Sequence, residues 1–109
     1  MSPSPWTWDH LPPKAAEVFR TFERAHAYMN ATANDYQQAD EQLARLNDEA
    51  DAISARWTWN PEAIEEARAA VGYAAAVFLE ARRLHRIARE DFARAKAARE
   101  ALDKKEGSR

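Results

Sequence analysis

The sequence predicts an all-α chain: a long antiparallel two-helix hairpin, an intramolecular coiled coil with an alanine-rich seam, expected to pair into a four-helix bundle. Three observations predict it. First, alanine returns every seventh residue at Ala67, Ala74, Ala81, Ala88 and Ala95, with Ile64, Val71, Phe78, His85 and Phe92 between them. That is a heptad with bulky residues at a and alanine at d. Second, residues 15–57 carry another unbroken heptad: Ala15, Val18, Phe22, Ala25, Met29, Thr32, Tyr36, Ala39, Leu43, Leu46, Ala50, Ile53 and Trp57. Third, the two heptads are mirror images about the short segment that joins them.

The mirror relation sets the register. An antiparallel turn centred between Thr58 and Trp59 places Ile53 opposite Ile64, Leu46 opposite Val71 and Thr32 opposite His85. It also sets large residues against small ones. Leu43 faces Ala74, Ala39 faces Phe78 and Tyr36 faces Ala81. Met29 faces Ala88, Ala25 faces Phe92, Phe22 faces Ala95 and Ala15 faces Leu102. Voids and overpacking each cost about 1–3 kcal/mol per site, so such matching favours one hairpin over two independent helices.

Residues 1–12 read as an extended arm, because prolines at 3, 5 and 12 forbid a regular helix. Trp6, Trp8 and Leu11 are costly to leave in water. They are expected to fold back over the open end of the hairpin; an aromatic hook for a partner is the alternative. Helix 1 is expected over 13–56, opened by Pro13, which suits the first helical turn. Forty-odd residues at 1.5 Å each make a rod of roughly 65 Å.

The turn is expected over 57–60. Asn60 suits the N-cap, Pro61 the first helical position, and Glu62, Glu65 and Glu66 the positive helix start. Trp57 and Trp59 are expected to plug the closed end. Helix 2 is expected over 61–104, with 105–109 a flexible tail.

Helix 2 carries a feature that one hairpin does not use. Beside the seam runs a second apolar stripe: Ala70, Tyr73, Val77, Leu84 and Ile87, with Ala76 and Leu79 near it. A two-helix hairpin buries one stripe per helix, and an exposed apolar strip of this size marks an interface. Tyr73, Val77, Leu84 and Ile87, together with Trp6 and Trp8, are therefore the expected partner-binding residues. The expected partner is a second copy or a larger protein assembly.

Charge supports association. Residues 34–66 hold nine acidic and two basic side chains, net −7, whereas residues 82–109 hold ten basic and five acidic, net +5. Two hairpins laid antiparallel would bring opposite charges together, which selects orientation more than it adds affinity.

Composition excludes several classes. The 109 residues fit one domain, and a net charge of −2 gives no global attraction to nucleic acid or membrane. With no cysteine there is no disulfide framework and no thiolate metal site. No apolar run reaches the ~20 residues that span a bilayer. No signal-peptide pattern opens the chain, so a cytoplasmic location is expected. The alanine- and arginine-rich composition suits a bacterial or phage accessory or structural protein; in the phage case the location would be the virion.

Little in the chain suggests chemistry. Glu23 and His26 have the Glu-x-x-His spacing of di-iron bundles, but Glu23 falls on an outer position and the other seam positions hold no acid. His85 is the titratable seam residue, and a hydrogen bond to Thr32 that fixes the register is its expected role. Arg82, Arg83, Arg86 and Arg89, with Arg94, Lys96 and Arg99, could touch phosphates. A solvated face, or one paired with Asp35, Asp40 and Glu41, is the preferred reading of that cluster. Glycine-rich phosphate loops, nucleophile elbows and paired catalytic carboxylates are lacking. The chain is read as non-catalytic, with no cofactor and no metal.

A helical hairpin of about 100 residues with tryptophan in its turn resembles the WXG100 proteins of type VII secretion systems. Trp57-Thr58-Trp59 stands where their Trp-x-Gly motif stands, with Trp59 in place of the glycine. Their C-terminal Tyr-x-x-x-Asp/Glu export motif has no counterpart; Tyr73 is followed four residues later by Val77. The resemblance implies secretion without a signal peptide.

Overall fold

The computed structural model describes residues 12–107. Two helices account for nearly all of them: α1, Pro13–Arg56, and α2, Pro61–Gly107, arranged as a hairpin. Each end has a local cause. The Ala16 amide donates to the Pro12 carbonyl at 2.9 Å, so Pro12 caps α1 and Pro13 takes the first helical position. The α1 ladder closes with the Trp57 amide on the Ile53 carbonyl at 2.8 Å.

The turn needs no glycine and no positive φ. The Asn60 amide donates to the Trp57 carbonyl at 2.8 Å, which reverses the chain within four residues. The Asn60 side chain then accepts the Ala63 amide at 3.2 Å, as expected of an N-cap, and its carbonyl accepts the Ile64 amide at 3.3 Å. Asn60→Ala is expected to cost about 1 kcal/mol in thermal or urea unfolding, and an unchanged midpoint would contradict the capping role.

One boundary differs from expectation. α2 continues through Gly107 rather than ending at Lys104. Lys104, Lys105 and Glu106 are good helix formers, and the two lysines sit favourably against the negative C-terminal end of the helix. Glycine alone does not stop a helix whose preceding turn is so well supported.

The chain divides into two compact units, Thr32–His85 around the turn and the two helix segments outside it. In the turn unit, Ala39, Ala50 and Ala74 are buried, and so is Thr32. Tyr36 lies against Phe78 and His85, with ring centroids 5.2 and 5.9 Å away. Those two residues flank Ala81, the expected mate of Tyr36. This is a knob seated in a hole whose floor is an alanine.

Thr32 Oγ1 and His85 Nδ1 share a hydrogen bond of 3.1 Å, the pair that the register set opposite each other. Thr32→Val keeps the shape but leaves the imidazole nitrogen without this partner. It is expected to lower stability by about 1 kcal/mol. In a double-mutant cycle with His85→Leu the two losses should not add; additive losses would mean the bond contributes nothing.

The outer unit repeats the logic. Phe22 packs on Phe92 at 5.3 Å, and the Arg99 guanidinium lies 4.6 Å from the Phe22 ring centroid and 5.1 Å from that of Phe19. Phe92 and Arg99 flank Ala95, which is buried, as are Ala15, Ala16 and Ala88. Phe22 therefore occupies the hole over its expected mate. Arg99 holds a seam position by covering aromatic faces, a favourable use of a cation beside a coiled-coil core.

Candidate functional site: an uncovered face of the second helix

The hairpin fully encloses only small side chains. Among the described residues every buried position is an alanine or Thr32, and no large side chain is completely covered. The bulky seam residues Leu43, Leu46, Val71, Phe78 and Phe92 are half-buried. Two helices meeting along one seam leave both flanks open to water, so this follows from the architecture.

One flank is apolar. In the turn unit a groove of about 730 Å³ runs along the helix pair. α1 supplies Asp35, Gln38 and Gln42 to it, and α2 supplies Val77, Glu80 and Leu84; Thr32, Ala39, Ala76 and Ala81 complete the lining. Val77 is 44% exposed and Leu84 half-buried. Tyr73, one turn before Val77 on the same row, is 76% exposed. Val77 and Leu84 are thus brought together, with Tyr73 beside them. Ile87, half-buried, belongs to the outer unit. Trp6 and Trp8 lie outside the described residues.

The corresponding flank of the outer unit is different in kind. Its groove, about 510 Å³, is lined by Arg24, Tyr28, Asp91 and Arg94 among others. Asp91 and Arg94 are ion-paired there. The one aromatic side chain of this groove is Tyr28, set among charged residues, whereas Val77 and Leu84 line the groove of the turn unit.

Glu80 is the one acid on the α2 stripe between Ala70 and Leu84. Arg83 donates to it through Nε at 3.0 Å and Nη2 at 2.6 Å. That hydrogen bonding holds the Glu80 carboxyl below its ordinary value of 4.5. The modest stabilisation from the pair is present above the ordinary value and is lost as the pH falls through the lowered one. Both groups are about half exposed, where ion pairs contribute little to stability.

The basic cluster is not a single free surface. Arg83 is held by Glu80, Arg94 by Asp91, and Arg99 covers phenylalanine rings. Arg82, Arg86 and Arg89 are exposed. They occupy the b and e positions of the heptad, on the other flank of α2 from the apolar row. Glu23-x-x-His26 builds no metal site: His26 lies against Phe22 and Phe92, at 6.2 and 5.4 Å, and its Nε2 is 3.5 Å from Asn30 Nδ2. Among the described residues no three His, Cys, Asp or Glu side chains converge to hold a metal ion. No described helix is long and apolar enough to cross a membrane.

The turn tryptophans correct an expectation. Trp57 and Trp59 do not plug the end of the coiled coil. They lean on each other, with centroids 5.2 Å apart, and remain 44% and 71% exposed. The four-residue reversal carries them outside the seam, and among the described residues no third element covers them. They form an aromatic tip beside Arg56 that sequence reasoning had assigned to the interior.

Searches against protein families, curated proteins and solved structures found no match to this chain.

Proposed function

We propose that the protein is a non-catalytic assembly module: a helical hairpin that self-associates, or docks on a larger protein, through the apolar row of α2. One observation carries this reading. Among the described residues the hairpin completely covers no large side chain, yet it aligns Tyr73, Val77 and Leu84 along a single flank. A third and fourth helix laid on that flank would complete a four-helix bundle and bury the row. The groove suits this occupant because it is open to solvent and its apolar lining of Ala39, Ala76, Val77, Ala81 and Leu84 is bordered by Asp35, Gln38, Gln42 and Glu80, as helix-binding grooves are by polar side chains. Leu84→Glu tests it. Association should be lost while the far-ultraviolet circular dichroism is kept, and retained association would overturn the proposal.

Nucleic-acid binding by the basic row is the competing use of this helix. Its phosphate contacts would be strongly salt-dependent. The assembly reading expects no retention on duplex DNA or RNA at low salt. Retention that disappears in the Arg82→Gln, Arg86→Gln, Arg89→Gln triple variant would favour the competitor.

A further inference from the structure

We infer that the occupant of this flank is a second copy of the chain, packed antiparallel with α2 against α2 about a two-fold axis passing beside Glu80. The inference rests on the assembly reading and adds the partner and its register.

The argument is the self-complementarity of one row. The flank of α2 consists of the g and c positions of its heptad: Ala63, Glu66, Ala70, Tyr73, Val77, Glu80, Leu84, Ile87, Asp91 and Arg94 in turn. Folded onto itself about Glu80, it matches layer by layer. Val77 meets the partner's Leu84, and Tyr73 meets the partner's Ile87. Glu66 meets the partner's Arg94, an opposite-charge pair at each edge of the apolar patch. Ala70 meets the partner's Asp91, which keeps its own Arg94 as counter-ion.

Other arrangements match less well. Sliding the pairing by one heptad sets Tyr73 against the partner's Glu80 and Ile87 against the partner's Glu66, or Tyr73 against the partner's Arg94 and Ile87 against the partner's Glu80. It leaves Val77 or Leu84 against its own copy as the largest apolar layer. A parallel pair in register also stacks apolar on apolar. However, it sets Glu66, Glu80, Asp91 and Arg94 each against its own copy. Four like-charge layers stand against one, and like-charge juxtaposition is what rejects wrong pairings. The acidic 34–66 and basic 82–109 segments favour the same direction.

The one unfavourable layer makes the register testable. At the axis Glu80 meets the partner's Glu80, and Arg83, already bidentate on its own Glu80, screens the two carboxylates. Glu80→Gln removes the repulsion and should tighten the dimer by about tenfold; a dimer no tighter than the parent contradicts the axial placement.

Cysteine pairing reads the register directly, since the chain has no cysteine of its own. Tyr73→Cys and Ile87→Cys variants, one of them tagged, are mixed and mildly oxidised. Antiparallel pairing predicts the mixed disulfide and no Tyr73→Cys homodimer, because two copies of position 73 would stand roughly 20 Å apart along the axis. Disulfide-linked Tyr73→Cys homodimers would show a parallel pair and overturn the inference while leaving the assembly reading intact. A dimeric mass with neither disulfide would place the interface elsewhere and also overturn it. A monomeric mass at every concentration would remove self-association altogether.

Discussion

The Val77→Glu, Leu84→Glu double variant is expected to be monomeric at concentrations where the parent chain assembles, with its helical signal unchanged. Burying a valine or leucine side chain is worth about 1.5–3 kcal/mol, and a two-fold interface buries each residue twice. Glutamate forfeits that gain and must also be desolvated or expelled. A weakening of at least 10³-fold follows, enough to remove association across any practical range. Stability of the hairpin itself should change little, because both positions lie beside the seam and Val77 is already 44% exposed. Leu79→Glu is the matched control: Leu79 is 59% exposed and lies on the other flank of α2. If the control disrupts association as strongly as the double variant does, the apolar row is not the interface.

Ala88→Leu is expected to be the most damaging single change to the hairpin. Ala88 is 0% exposed, the most enclosed residue described, and the register sets it opposite Met29. Three added carbons have no space at a position where two helix backbones are held together by the smallness of alanine. Overpacking of this kind costs about 1–3 kcal/mol. For a chain of this size that lowers the melting temperature by about 5–15 °C. Met29→Ala made in the same chain should restore much of the loss by moving the volume across the layer. Recovery by Met29→Ala but not by Phe22→Ala would confirm which residues share a layer. Equal recovery by both would refute the register in the outer unit.

Much of the fold was legible because the heptad is a strong signal and antiparallel mirror symmetry leaves a single register. The large-against-small layers, the Asn60 cap and the Thr32–His85 bond all follow from it. What escaped has a common physical origin. Periodicity assigns a side chain to a face but does not say whether that face is covered. Trp57 continues the a column, which points to an interior place, yet the chain has already left the helix there. Arg99 looked available for phosphate because it is charged, whereas its seam position puts it over phenylalanine rings. α2 runs on to Gly107 because Lys104 and Lys105 support its last turn, which the heptad, fading after Leu102, does not signal.

The candidate site was legible in part for the same reason. Tyr73, Val77 and Leu84 were identifiable as apolar residues off the seam, and the structure leaves Tyr73 and Val77 exposed and Leu84 half-buried at the groove. The groove itself depends on the distance between two helices, which the alanine column sets and which no count of residues supplies. Glu80 was not singled out, although its place within the apolar row and its bidentate arginine give it the most informative position on that face.

The most direct test is the molar mass in solution, measured by light scattering after size exclusion over a wide range of concentrations. A hairpin that completes its core with a second copy predicts twice the chain mass of 12.4 kDa, falling toward one chain only on dilution. A mass of one chain at every concentration, with the helices intact, would contradict self-association and leave the α2 row to a different protein.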